Sequence, residues 1–204
     1  MEIVLAGSPP KSLPLPVFET AHIGTADHYG EKFDIYMGLN TNMAAKIKEF
    51  SLDISDADLQ ANTSDYQRFG QGSYEEWYSQ DRVPFALVHP KTNSLAALVW
   101  FGPKELGKKS LKHLTAEEAM QKGKKPSGNW HTIAIRSYPP FRGTGIMKEF
   151  LRSVTDVYAH YFPYAKFWTS VSRSNVPSIK LLEKLGYLID ETNSDPKTVT
   201  MVHG

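Results

Sequence analysis

The residues most able to do chemistry lie in the last third of the chain. Arg142-Gly143-Thr144-Gly145-Ile146-Met147 stands between a strand pattern and the start of an amphipathic helix pattern. Glycines there let the backbone approach a ligand closely. The first free N–H groups of the helix, with the positive end of its dipole, form a site for phosphate. Arg142 can add a charge-assisted contact. The same segment also reads as a glycine-rich turn that merely starts a helix. Two nucleotide-binding alternatives fit less well. No Lys-Ser or Lys-Thr follows the glycines as a P-loop requires, and the motif comes late in the chain, outside an opening βαβ unit.

A second segment runs from Asn175 through Pro177 and Ser178 to Leu-Glu-Lys-Leu-Gly-Tyr ending at Tyr187. Asn175 is placed as a helix cap, and Pro177 sits in the first turn, where a missing N–H costs nothing. Ser178, Leu181, Leu182 and Leu185 recur at offsets 0, 3, 4 and 7, so a hydroxyl shares the face that otherwise looks inward. Ser178 therefore has two readings, a first-turn serine bonded to backbone or a catalytic hydroxyl.

Periodicity supplies the elements that position these segments. Trp130 to Arg136 reads as a strand. Ile146, Met147, Phe150, Leu151, Val154, Val157, Tyr158 and Tyr161 make the stripe of a helix that packs on a sheet. Phe167 to Ser172, Tyr187 to Asp190 and Thr198 to Val202 read as strands, with a helix over Pro177 to Leu185. Upstream, Val83 to His89 and Leu95 to Phe101 form a hairpin across a polar loop. Strands are expected at Val17 to Ile23 and Phe33 to Tyr36, then a helix capped by Asn42. Short helices follow capping boxes at Ser55, Ser73 and Thr115. Prolines 9, 10, 14 and 16 suggest an extended N-terminal arm over residues 1–16. The order predicts one mixed α/β domain over residues 1–204.

Composition narrows the function classes. The chain has 204 residues, 41% hydrophobic and 22% charged, enough to bury a core without a disulfide or metal. It has no cysteine, which excludes thiolate nucleophiles and Cys-ligated zinc, and its seven histidines show no HExxH pairing, so no metal is expected. The longest apolar run, Leu95 to Phe101, is far short of the roughly 20 residues of a membrane span. The N-terminus lacks a secretory signal, which makes a cytoplasmic protein the expectation. A net charge of +1 removes any global electrostatic case for nucleic acid. Locally, Glu49 to Asp81 hold eight acidic residues against Arg68, and residues 104–125 hold seven Lys against three Glu. Each is a solvated face or a functional one: an acidic rim that attracts a cation, and a Lys-rich flap.

Taken together, Ile133-Ala134-Ile135, Arg142-x-x-Gly145 and the Asn175 helix resemble, in order, the central strand, diphosphate loop and late Asn-bearing helix of the GNAT superfamily of acyl-CoA-dependent N-acyltransferases. The resemblance spans residues 130–190, and within the family it is most similar to the branch that includes ribosomal-protein N-terminal acetyltransferases. It implies a mixed, mostly antiparallel central sheet with flanking helices, and acetyl-CoA as cosubstrate. On this resemblance the backbone of Ile133, Ala134 and Ile135 pairs with the pantetheine arm. Arg142 and the amides of Gly143, Thr144, Gly145, Ile146, Met147 and Lys148 hold the diphosphate, and Asn175 contacts the pantetheine. A primary amine, on a cationic small molecule or a peptide, attacks the thioester directly in a ternary complex.

Three departures from the family pattern stand out. Met147 replaces the last glycine or alanine of the loop, and two extra residues lie between Ile135 and Arg142. Leu182 stands seven positions after Asn175, where many members carry an acidic tyrosine, and Ser170 stands five before it, where some carry glutamate. Ser178 then becomes the acid and His131 the base, although a strand histidine beside Ile133 also reads as a core residue. The missing pair motivates a rival, a catalytically silent CoA-binding or regulatory module. A ribosome- or RNA-associated binder using residues 104–125 is disfavoured by the lack of an RNP-like aromatic motif. The sequence leaves the oligomeric state open.

Overall fold

The computed structural model describes residues 1–6, 10–108 and 128–204. The helix expected at Thr115 and most of the lysine-rich stretch lie outside the described residues. The chain divides into two compact units, and strand β6 contributes to both. The first unit comprises Met1–Lys46, Asp81–Phe101 and Ala134–Tyr164, and the second comprises Ile47–Gln80, Gly102–Ile133 and Ala165–Gly204.

In the first unit, β1 (Glu2–Leu5), β2 (Ala21–His28), β3 (Glu31–Met37), β4 (Val83–His89) and β5 (Ser94–Pro103) lie side by side in chain order. Each consecutive pair is antiparallel, from Glu2↔Asp27 through Asp34↔Val88 to Val83↔Phe101. Part of the expected extended arm is thus a strand. Residues 2–5 pair with β2, and Gly24 permits the approach, since a Cβ there would fall 2.5 Å from the Val4 carbonyl oxygen. The strand expected at Val17 begins instead at Ala21. Every residue of β4 is buried, which is why its sequence is a continuous apolar run without alternation.

β6 (Trp130–Ser137) leads into α4 (Ile146–Tyr161), whose apolar stripe buries Ile146, Phe150, Leu151, Val154 and Tyr158. Tyr158 stacks on Phe101 with ring centroids 4.4 Å apart. Burial pushes its phenol well above the ordinary tyrosine range. The Tyr161 hydroxyl donates to the Pro10 carbonyl at 2.6 Å, tying the arm to the end of the same helix.

Helix α1 (Thr41–Leu52) is capped by Asn40, whose side-chain oxygen accepts from the Met43 amide, and not by Asn42. In the second unit, α2 (Ala57–Asn62) is capped by Asp56 in place of the expected Ser55, because the Asp56 carboxylate takes the Leu59 amide at 3.0 Å while Ser55 bonds Asp53. A π-helical turn (Tyr66–Gln71), invisible to the periodicity, precedes α3 (Tyr74–Tyr78), which Ser73 caps as its box predicts. Phe69, Tyr74 and Trp77 cluster here, with centroids 5.0 and 5.4 Å from Trp77. Buried Asp65 pairs with Arg68 at 2.5 Å.

The rest of this unit orders its strands β6, β7 (Lys166–Ser172), β9 (Thr198–His203) and β8 (Leu188–Asp190). β6 and β7 are parallel, with registers Trp130↔Lys166 to Thr132↔Trp168, whereas β7–β9 and β8–β9 are antiparallel. Helix α5 (Val176–Glu183) connects β7 to β8. The class is the mixed, mostly antiparallel α/β sheet with flanking helices that the sequence implies.

Candidate active site

The glycine loop is built from the end of β6. The Tyr138 amide donates to the Ala96 carbonyl at 2.9 Å, which carries the strand's backbone pairing one residue past Ser137, and the Tyr138 side chain is fully buried. The Phe141 amide then closes a turn onto the Tyr138 carbonyl at 2.9 Å. Phe141 packs edge-on against Phe33 at 5.2 Å and beside His89 at 5.5 Å, and His89 is in turn held by Thr92 and Glu31. These anchors account for the longer connection before Arg142, since the added turn carries an apolar side chain that fixes the loop to the sheet. Arg142 bonds through Nε to the Ser137 carbonyl at 3.1 Å, so one face of its guanidinium braces the loop.

The loop then exposes its backbone. Gly143 and Gly145 have φ of 79° and 89°, in the left-handed region, and a Cβ at either would meet nothing within 4 Å among the described residues. Gly145 is the N-cap of α4 and has no side chain with which to accept from the first-turn amides. Gly143 and Gly145 are exposed at the positive end of a 16-residue helix, while the Thr144 amide turns back to the Phe141 carbonyl at 3.4 Å. That fits an anionic diphosphate. Met147, where the family pattern has a small residue, is half-buried beside the fully buried Ile146, and Lys148 leans on Glu149 at 3.4 Å.

Ala134 and Ile135 belong to the same unit as this loop, whereas Ile133, His131, Asn175 and Ser178 belong to the other. In that second unit His131 is buried, in register with Phe167. Asn175 is the cap that its sequence position predicts. Its side-chain oxygen accepts from the Ser178 amide at 3.3 Å, which leaves the side-chain NH₂ as its donor. The half-buried Ser178 hydroxyl makes no hydrogen bond among the described residues, contrary to a first-turn serine bonded to backbone. Leu182 is 1% exposed, so the position that carries tyrosine in many relatives is core here.

The family model for the acetyltransferase (GNAT) domain matches residues 53–188, two thirds of the chain. The chain belongs to the GNAT acetyltransferase family. Solved GNAT structures share its fold. The GNAT domain of S. lividans PAT is 18% identical with a TM-score of 0.58, covering 88% of this chain and 96% of that one. Spermidine N-acetyltransferase from Vibrio cholerae, in complex with CoA and spermine, is 13% identical with a TM-score of 0.56, covering 83% and 94%. An acetyltransferase from Agrobacterium tumefaciens is 13% identical with a TM-score of 0.57, covering 97% and 99%. No curated protein matches the sequence.

Some features of the GNAT fold here escaped sequence reasoning. The π-helical turn and the Asp65–Arg68 pair have a faint signal, a charge pair at i,i+3. Tyr187, read only as the end of a motif, is 4% exposed with a hydroxyl that bonds nothing among the described residues, and burial drives its phenol upward. The contact between His28 and the glycine loop joins residues 116 positions apart, and no local pattern announces it.

Proposed function

We propose that this GNAT domain transfers an acetyl group from acetyl-CoA to a primary amine by direct attack in a ternary complex. The observation that carries the reading is the Gly143–Gly145 loop, with two left-handed glycines opening onto empty space at an uncapped helix start. Acetyl-CoA supplies an acyl carbon activated as a thioester, whose thiolate is a good leaving group.

The chain's own residues divide the remaining work. Amides from Gly143 to Lys148 bind the diphosphate, and Arg142 adds charge beyond its brace to Ser137. The backbone of Ile133, Ala134 and Ile135 aligns the pantetheine arm by strand-like pairing, and the Asn175 NH₂ donates to that arm. Ser178 Oγ, with no hydrogen-bond partner among the described residues, gives its proton to the leaving sulfur. His131 is the residue assigned to take the proton from the attacking amine.

For the acceptor, the acidic stretch favours a cation. Glu75 and Glu76 are exposed on α3, over an aromatic cluster that holds the helix in place. The CoA and spermine bound to the Vibrio cholerae relative are consistent with this class. The test is release of free CoA thiol from acetyl-CoA in the presence of polyamines, aminoglycosides, small neutral amines and peptides. Turnover with a cationic amine supports the reading. CoA binding without turnover on any amine would instead favour a silent CoA-binding module, which the buried Leu182 motivates.

A further inference from the structure

The chain before residue 53, where the family match begins, makes a contact with the glycine loop. β2 and β3 are joined by Tyr29 and Gly30, with φ of 54° and 86°, and His28↔Glu31 is the closing pair. Two positive φ values in a two-residue loop make a primed turn whose twist suits the strands. The Asp27 carboxylate accepts from the Gly30 amide at 2.9 Å and pairs with Lys32 at 2.5 Å, which fixes the tip of the hairpin. The neighbouring Tyr29 ring lies 4.4 Å from that of His28.

From this tip the His28 imidazole reaches the loop, with Nε2 2.8 Å from the Thr144 carbonyl oxygen. A carbonyl only accepts, so Nε2 carries the proton and donates. The trans peptide is planar, and its C=O and N–H point in opposite directions. With the Thr144 carbonyl turned to His28, the Gly145 N–H must face away from the hairpin. Thr144 itself is held by the Phe141 carbonyl, through its hydroxyl at 2.7 Å and its amide at 3.4 Å, but those bonds precede the Thr144–Gly145 peptide and do not orient it. Glycine at 145 allows that peptide to flip, because it adopts positive and negative φ with similar ease.

We propose that His28 is a positioning residue for the acyl donor: it locks the Thr144–Gly145 peptide so that the Gly145 N–H is presented to the donor's diphosphate. The assignment rests on the reading of the loop as a CoA site, and it makes the N-terminal hairpin, outside the matched family domain, a working part of that site. A free loop would spend part of its time flipped, with a carbonyl dipole where the diphosphate needs a donor.

The experiment is calorimetric titration of CoA into the wild-type protein, His28→Ala and His28→Gln, with the melting temperature of each unliganded protein. Loss of one oriented donor is worth about a five- to tenfold rise in Kd for His28→Ala. His28→Gln, which keeps an N–H donor at similar reach, should stay within about twofold of wild type. A role in folding alone would lower the melting temperature without separating the two variants in CoA affinity. Unchanged affinity in His28→Ala, or equal weakening in both variants, overturns the assignment. A wild-type protein that does not bind CoA overturns the donor-site reading itself, and this assignment with it.

Discussion

Replacing Gly145 by valine tests the donor site where the structure allows the magnitude to be worked out. At φ 89° an L-residue is strained, by about 1–3 kcal/mol and towards the upper end for a β-branched side chain. No described residue lies within 4 Å of the added Cβ, so no clash with those residues adds to that figure. For a chain of this size a loss of about 2 kcal/mol lowers the melting temperature by roughly 4–8 °C, so the variant stays folded at room temperature. The isopropyl group then stands before the helix start, on the proposed diphosphate site. CoA affinity should fall at least tenfold, about 1.4 kcal/mol. Gly145→Ala separates the two effects, because it carries most of the backbone strain with only a methyl group. Calorimetry should give an affinity order of glycine, alanine, valine, with the step to valine larger than the step in stability. A folded Gly145→Val variant that binds CoA as wild type does would remove the phosphate-loop assignment.

Other consequences are open to direct measurement. Ser178→Ala should lower turnover ten- to a hundredfold at saturating acetyl-CoA with CoA affinity retained, and a wild-type rate would show that the thiolate leaves unassisted. Leu182→Tyr forces a larger polar side chain into a site 1% exposed, and urea denaturation should show a loss of about 1–3 kcal/mol. Asp65→Ala removes the carboxylate paired with Arg68 in a mostly buried site and should lower the urea midpoint at unchanged slope. Burial raises the phenols of Tyr74, Tyr158 and Tyr187, so all three stay neutral in the folded state after their unfolded counterparts ionise near pH 10. Stability is therefore full below pH 10 and falls above it by about 1.4 kcal/mol per pH unit per tyrosine, and phenolate absorbance should rise together with loss of circular dichroism.

The parts of this fold legible in the sequence are those with a local cause. The Leu95 to Phe101 run, the α4 stripe and the Asn175-Pro177 start each carry their own period or cap, and each stands where it is expected. Misplaced elements share a different origin. β1 has only four residues and gains its hydrogen bonds from β2, so nothing within Glu2–Leu5 reveals it. Asn42 and Ser55 are plausible caps by type, but Asn40 and Asp56 took the amides because a cap is decided by which side chain reaches one. For the candidate site, the glycine loop is legible because its backbone conformation is one that few residues tolerate. The His28 contact is not, since it joins an ordinary turn-flanking residue to a loop 116 positions away.

The acidic stretch shows how far a charge count can carry a functional argument. Of the eight carboxylates between Glu49 and Asp81, Asp53 takes the amide and hydroxyl of Ser55, Asp56 caps α2, and Asp65 is buried against Arg68. The Ser55 hydroxyl and amide hold the Asp53 carboxyl below its ordinary range, as expected of a group doing local structural work. Attraction of a cationic acceptor then falls chiefly to exposed residues such as Glu75 and Glu76, at the start of a helix whose sequence they favour for a separate reason, the helix dipole. A pair of exposed charges acts over about one Debye length. The expected signature is therefore modest: a Michaelis constant for a cationic amine that rises with salt and rises again in a Glu75→Gln, Glu76→Gln double variant, while the double substitution leaves that for acetyl-CoA unchanged at a given salt concentration. A neutral acceptor that outperforms every cation would leave these carboxylates with only their structural role.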